Sequence, residues 1–357
     1  MKILCVLGTR PEAVKMSPIV RLLKATAGIE TRVCVTAQHR QMLDQVLELF
    51  QIKPEYDLDL MRDGQTMAQV SAGIFTHLDP ILEAFKPDWV LAVGDTTTVV
   101  TTSLLAFYRK IKFGHVEAGL RTHNKWHPFP EEINRRLATV TADLHFAPTE
   151  WSRANLLHEG VDEKQIIVTG NSVIDALKYV ADQDQPAEIT ELLSRLGITP
   201  PPSRTDRKKL ILVTAHRREN FGQAIENICL ALKELSQRAD VEIVYPVHLN
   251  PNVQEPVNRI LKHLTHLTLL PPLDYLPLVH LMKHATLILT DSGGLQEEAP
   301  SFGIPVLVMR ETTERPEGVE AGTLKLVGTE TSRIVHEATC LLDDSSEYAK
   351  MAKASNP

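Results

Sequence analysis

A chain of 357 residues is long enough for two domains, each with its own core, and a formal net charge of −7 gives it none of the positive field that nucleic acid requires. The longest basic run is Arg207-Lys208-Lys209, so no nucleic-acid partner is expected. The N-terminal apolar run to Leu7 is far short of a membrane span and has no small-residue cleavage site, and Cys5, Cys34, Cys229 and Cys340 are scattered without paired spacing; a cytoplasmic, reducing setting without membrane, disulfide or thiolate metal site is expected.

Along the chain, Lys2 to Leu7 reads as a strand, Gly8-Thr9-Arg10-Pro11 as a loop, and Glu12 to Ala27 as a helix that Pro18 is expected to kink or divide. The unit recurs: Thr31 to Val35 before a helix near Met42 to Phe50, Trp89 to Val93 before Val99 to Tyr108, and Lys112 to Val116 before a later helix. After Asn171 to Val180, the stretch 181–206 is rich in Asp, Pro, Gln and Arg, which predicts a linker. The pattern then restarts with Leu210 to Thr214, Val241 to Val247, Leu267 to Leu270, Thr286 to Thr290 and Val306 to Met309. Strand–helix alternation on this scale predicts an α/β protein with two Rossmann-like domains, 1–180 and 207–357, facing a cleft. Ligands of such sheets sit beyond the carboxyl ends of the strands, so the polar residues there are the candidates.

The segment Leu289 to Pro300 is the most informative. Its strand ends in Asp291-Ser292-Gly293-Gly294, and two glycines at a strand-to-helix turn let backbone N–H groups approach an anion while the helix dipole assists. The plainer alternative is a tight turn. Glu298 follows one turn later, where a carboxylate suits ribose hydroxyls. The loops at Gly8 and Gly94 match neither a dinucleotide fingerprint nor a Walker loop, which disfavours nicotinamide and ATP chemistry. Arg10 and Lys15 are suited to a diphosphate, or are only a loop cation and an exposed helical lysine.

Asp95 and Glu117 stand at strand carboxyl ends, Asp95 with the alternative role of capping the next helix. Glu131 and Glu132 open a helix after Pro128-Phe129-Pro130; such acids are often dipole partners, but a carboxyl held near other carboxyls can transfer protons. In the second half His216 and Arg217 end one strand and His248 another, suggesting phosphate binding or acid catalysis. His123 and His127 lack a carboxylate ligand pattern, so no metal is expected, and no Gly-x-Ser-x-Gly elbow exists for acyl chemistry.

Taken in order, Gly8-Thr9-Arg10-Pro11-Glu12, Gly94-Asp95-Thr96-Thr97, His115 to Thr122, Pro130 to Arg135, Thr214 to Asn220, Asp291 to Pro300 and Thr313 to Gly318 resemble the non-hydrolysing UDP-N-acetylglucosamine 2-epimerases over nearly the whole chain. The resemblance implies a glycosyltransferase-B-like fold, a homodimer, and reversible conversion of UDP-N-acetylglucosamine to UDP-N-acetylmannosamine without a cofactor, feeding bacterial surface polysaccharide synthesis. It implies elimination of UDP to 2-acetamidoglucal and re-addition, with Asp95, Glu117 and Glu131 as the acid/base set and His216 facing the diphosphate. Arg10, Lys15, Arg217, His248, Ser292, Gly293, Gly294, Glu298 and Arg315 would hold the nucleotide sugar, with uracil near Leu273 and Leu278. Gln38 and Gln41 match residues near which regulated relatives bind a second UDP-N-acetylglucosamine, while Gly64 stands where some have arginine; relatives also continue beyond Pro357 into a final helix. A hydrolysing epimerase, a glycosyltransferase of the same plan and a silent UDP-sugar sensor are the competing readings.

Overall fold

The computed structural model describes residues 1–36, 40–62, 64–198 and 208–356, without the side chains of 40–42. The chain forms two compact units, Met1–Ala176 and Leu177–Pro357. Gln38 and the Gln41 side chain lie outside the described residues.

In the first unit the strands are β1 (Lys2–Leu7), β2 (Glu30–Val35), β3 (Tyr56–Asp57), β4 (Trp89–Val93), β5 (Lys112–Val116), β6 (Leu144–Ala147) and β7 (Ile166–Val168). Between and after them run α1 (Arg10–Ala25), α2 (Arg40–Leu49), α3 (Met67–Phe85), α4 (Thr97–Tyr108), α5 (Glu131–Thr141), α6 (Glu150–His158) and α7 (Val173–Ala181), the last crossing the divide. The sheet order is β3-β2-β1-β4-β5-β6-β7, with parallel pairings such as Leu4↔Arg32 and Gly114↔Leu144. Helices cover both faces, which is why β1 is buried from Ile3 to Leu7 rather than alternating. Leu4, Ile74, Leu78, Leu82 and Phe113 lie in the core on one side, and each such side chain contributes on the order of 2 kcal/mol by leaving water.

The second unit holds α8 (Ala187–Arg195) and the strands β8 (Lys209–Thr214), β9 (Val241–Pro246), β10 (Leu267–Leu270), β11 (Leu287–Thr290), β12 (Val306–Val308) and β13 (Leu324–Leu326). Its other helices are α9 (Gln223–Leu235), α10 (Pro251–Leu261), α11 (Tyr275–Lys283), α12 (Gly293–Glu298), α13 (Pro316–Glu320), α14 (Thr331–Asp343) and α15 (Ser345–Ala352). The order β10-β9-β8-β11-β12-β13 is again parallel throughout. Among the described residues no helix is long and apolar enough to cross a membrane.

Two local expectations change. Pro18 sits inside an undivided α1, where it removes one ladder hydrogen bond without ending the helix. The stretch read as a linker contains α8, whose Ile189, Leu192 and Leu193 are buried at a helical i, i+3, i+4 spacing that the polar composition around them conceals.

In each sheet the strand order reverses once, between β1 and β4 and between β8 and β11. Connections leave these neighbours in opposite directions, and the loops part to open a crevice at the carboxyl ends. Both clusters of candidate residues stand at these two points.

Candidate active site

At the β1/β4 switch point, the turn after β4 is shaped by Gly94, whose φ of +84° is open only to a residue without a Cβ penalty. Its N–H donates to Val116 O at 3.0 Å, which ties it to the end of β5. Thr96 supplies the cap of α4, its hydroxyl accepting from Val99 N. Asp95 is therefore not the cap, and its carboxylate instead receives Arg135 through Nε at 2.9 Å and a terminal nitrogen at 2.7 Å. Asn134 Nδ2 donates to the Asp95 carbonyl at 2.8 Å.

Glu117 follows β5 at φ +61°, a left-handed conformation that costs a non-glycine residue on the order of 1 kcal/mol. Its Oε1 receives Lys15 Nζ and, at 3.3 Å, Asn171 Nδ2. Its Oε2 lies 3.4 Å from where a side chain on Gly94 would begin, so the carboxylate sits beside the turn that carries Asp95. Lys15 is thus largely buried against a carboxylate and is not an exposed helical lysine.

Glu131 is half-buried and opens α5 after Pro130. It precedes Asn134 and Arg135 by three and four residues, which puts it on the helix face that those two aim at Asp95. Glu132 is almost fully buried; it accepts from Thr122 N at 2.9 Å and His123 N at 3.1 Å, fixing the loop between β5 and α5, and shares Arg135 with Asp95 through Nη1 at 3.3 Å.

Glu12 is a buried group that sequence reasoning did not place in the site. Its Oε2 accepts from Gly8 N and Thr9 N, both at 2.6 Å, and its Oε1 from the Thr96 hydroxyl, so one carboxylate joins the loops after β1 and β4. Burial pushes its pKa up to about 6, against the hydrogen bonds from Thr96, Gly8 and Thr9 that favour the anion. The Thr9-x-x-Glu12 capping-box spacing was the available signal; the bond to Thr96 was not readable. Because Glu12 occupies the N–H groups at the head of α1, Arg10, half-buried at its first position, offers only its guanidinium.

At the β8/β11 switch point the organising group is Asp291, fully buried. Its Oδ2 accepts from His216 N and Arg217 N at 2.8 Å each and from Asn220 Nδ2 at 3.0 Å, while Oδ1 lies 3.5 Å from His216 Nδ1. The His216 ring stacks on His248 at 5.5 Å between centroids, bringing the ends of β8 and β9 together. His248 Nδ1 accepts from Asn250 N at 3.1 Å.

Around Gly293 the cations converge. A Cβ placed there would stand 2.9 Å from an Arg315 guanidinium nitrogen and 3.3 Å from one of Arg217, so a larger residue would have to displace the Arg315 guanidinium. Arg315 is oriented by Glu297 through Nε, with Glu314 at 3.6 Å from its Nη1. Glu314 is also bound by Arg310 at 2.8 Å; burial works against its charge, yet Arg315, Arg310 and Arg217 hold its carboxyl down to about 2. The turn of Gly293 and Gly294 leads into the six-residue α12, and the guanidiniums of Arg217 and Arg315 stand beside it.

Ser292 precedes α12 without capping it through its side chain, and Glu298 lies on α12 with Oε1 3.4 Å from the Cβ position of Gly294. Leu273 and Leu278, half-buried, lie beyond the edge strand β10, on its following loop and on α11. The sheet thus groups His216, Arg217, Ser292, Gly293, Gly294, Glu298 and Arg315 and leaves these two leucines at its border.

Residues 21–357 match the family model described as UDP-N-acetylglucosamine 2-epimerase. The chain is 57% identical to the UDP-N-acetylglucosamine 2-epimerase of Escherichia coli K12, over 100% of this chain and 94% of that protein. It is similar to the crystal structure of UDP-GlcNAc 2-epimerase from Neisseria meningitidis bound to UDP-GlcNAc, with TM-score 0.91 and 50% identity over 100% of this chain and 95% of that one. An S. aureus protein solved as a co-structure with UDP matches with TM-score 0.91 and 47% identity, over 100% and 92% of the two chains.

Proposed function

We propose that this chain, which belongs to the UDP-N-acetylglucosamine 2-epimerase family, interconverts UDP-N-acetylglucosamine and UDP-N-acetylmannosamine by elimination and re-addition of UDP. The observation that carries the reading is the gathering of Asp95, held by Arg135, and Glu117, held by Lys15, at the carboxyl ends of the adjacent strands β4 and β5. The sugar's C2 proton is poorly acidic, so inversion there needs a strong departure elsewhere in the ring. Loss of the C2 proton to a carboxylate as the C1–O bond breaks moves the electron pair into a C1=C2 double bond and releases UDP. A proton delivered to the other face of C2 and attack of the UDP oxygen on C1 complete the epimer. Nothing is oxidised or reduced overall, so the chemistry itself calls for no redox cofactor.

Two faces of C2 require at least two proton-transfer groups, and Asp95, Glu117 and Glu131 supply them. Departure of UDP builds charge on the diphosphate, which Arg217 and Arg315 over Gly293 neutralise while His216 donates to it. Arg10, Ser292 and Gly294 add donors, and Glu298 holds the ribose. The product suits synthesis of surface polysaccharide. A homodimer fits the exposed apolar stripe Ile133, Leu137 and Val140 on α5, because an apolar face left in water at i, i+4, i+7 usually has a partner; Leu137→Lys should then shift the mass in analytical ultracentrifugation from dimer to monomer.

The test is product identity. Incubated with UDP-N-acetylglucosamine alone and resolved by anion-exchange chromatography, the protein should yield UDP-N-acetylmannosamine up to a fixed ratio, approached from either sugar. Free N-acetylmannosamine with stoichiometric UDP would instead assign hydrolysis, and no conversion without an added acceptor sugar would assign transfer.

A further inference from the structure

His115 lies inside the sheet on β5, two residues before Glu117, and is completely buried. Its Nε2 is 2.7 Å from the carbonyl of Gly94, the residue before Asp95. A carbonyl cannot donate, so Nε2 must carry the proton and Nδ1 must be bare. Nδ1 is buried and has no hydrogen-bond partner among the described residues, which is the less costly atom to leave so, because an acceptor tolerates burial better than an N–H. Burial also pushes the imidazole pKa down to about 4, which favours the neutral ring near pH 7.

The left-handed turn at Gly94 explains why a histidine is needed. While its N–H is on Val116 O, the residue's carbonyl has no backbone donor among the described residues, and His115 reaches it from within the sheet. Val116 and His115 therefore grip the two polar atoms of Gly94 from the same strand whose end carries Glu117. Asn134 and Arg135 hold the next carbonyl and the Asp95 carboxylate.

We infer that His115 is a positioning residue that fixes Asp95 relative to Glu117 by donating from Nε2 to the Gly94 carbonyl. The inference rests on the proposed proton-transfer role of Asp95 and adds a residue that touches no substrate. Without the donor, the buried carbonyl seeks another partner, the turn shifts, and a displacement of about 1 Å suffices to cost up to a hundredfold in rate.

The test uses two amides of different reach. In glutamine the amide nitrogen falls where Nε2 of histidine stands, and in asparagine where Nδ1 stands. His115→Asn should lower kcat at least tenfold with KM within about threefold of wild type, while His115→Gln should recover most of the loss. Equal kcat in the two variants, both folded by thermal melting, would overturn the inference, as would a loss confined to KM. Should His115→Asn not fold, nitrogen NMR of the wild-type imidazole decides: a protonated Nε2 is expected, and an Nδ1–H tautomer would overturn the assignment. A wild type that turns over nothing would remove the proposed reaction itself, a different failure from a wild type that turns over while His115→Asn matches it.

Discussion

The two switch points share a plan and reverse its charges. At the first, two carboxylates are each paired with a cation: Asp95 with Arg135, which also reaches Glu132, and Glu117 with Lys15. At the second, two arginines are each paired with two carboxylates: Arg315 with Glu297 and Glu314, Arg310 with Glu219 and Glu314. The same kind of crevice in a parallel sheet can therefore carry candidates for proton transfer or candidates for anion binding, according to which ionisable residues end its strands. Asp291 makes the contrast clear, since it too ends a strand but spends its carboxylate on backbone N–H groups and an asparagine.

The largest expected effect breaks the first site alone. Asp95→Asn, Glu117→Gln and Glu131→Gln should each reduce turnover by roughly a thousandfold, within the usual span for general acid–base groups, while UDP affinity by calorimetry stays within a few-fold. Loss of UDP binding in these variants would mean that the sites are not divided as proposed.

Asp291→Ala removes acceptors from three buried or half-buried donors and should destabilise the second unit by about 3 kcal/mol, read as a lower urea midpoint. A midpoint unchanged would show that the loop after β8 is held by other contacts.

Gly293→Ala tests the anion site in the opposite sense. Its Cβ, 2.9 Å from an Arg315 nitrogen, pushes the guanidinium off station and should weaken UDP binding about thirtyfold, equivalent to one charge-assisted hydrogen bond, leaving the fold intact. Binding equal to wild type would remove Arg315 from the diphosphate.

The smallest effect concerns Glu12, whose pKa rises from its ordinary 4.5 to about 6 because of burial. The folded state binds this proton more tightly than the unfolded state, so the contribution is fully present below about 4.5 and is lost as pH rises through about 6. Unfolding free energies at pH 4 and 7 should therefore change in wild type by up to about 2 kcal/mol more than in Glu12→Gln, in the direction of weaker folding at the higher pH. Identical pH dependence would mean that Glu12 ionises as an exposed carboxyl does.

Strand ends were legible because period and composition change sharply there: Trp89–Val93 and Lys112–Val116 emerge with the expected bounds, and Asp95 and Glu117 with them. What was hidden are contacts that cross the sequence. Nothing in a linear reading pairs Lys15 with Glu117, 102 positions apart, or Asp95 with Arg135, 40 apart. Positive φ at a glutamate is equally silent, since Glu117 takes a conformation its residue type disfavours and tertiary context alone decides it. The helix α8 was missed for a different reason: its buried stripe of three residues is short and lies among Pro, Asp and Gln that suggest loop. The six-residue length of α12 was not predictable either, nor was the approach of Arg217 and Arg315 to Gly293.

The central claim is that the carboxylates of the first unit exchange the C2 proton. Incubation with UDP-N-acetylglucosamine in deuterated water, followed at C2 by proton NMR, tests it directly. Proton exchange at C2 predicts UDP-N-acetylmannosamine with deuterium at C2, and recovered substrate that gains the label as the reaction reverses. Epimer that keeps its original C2 proton would contradict it.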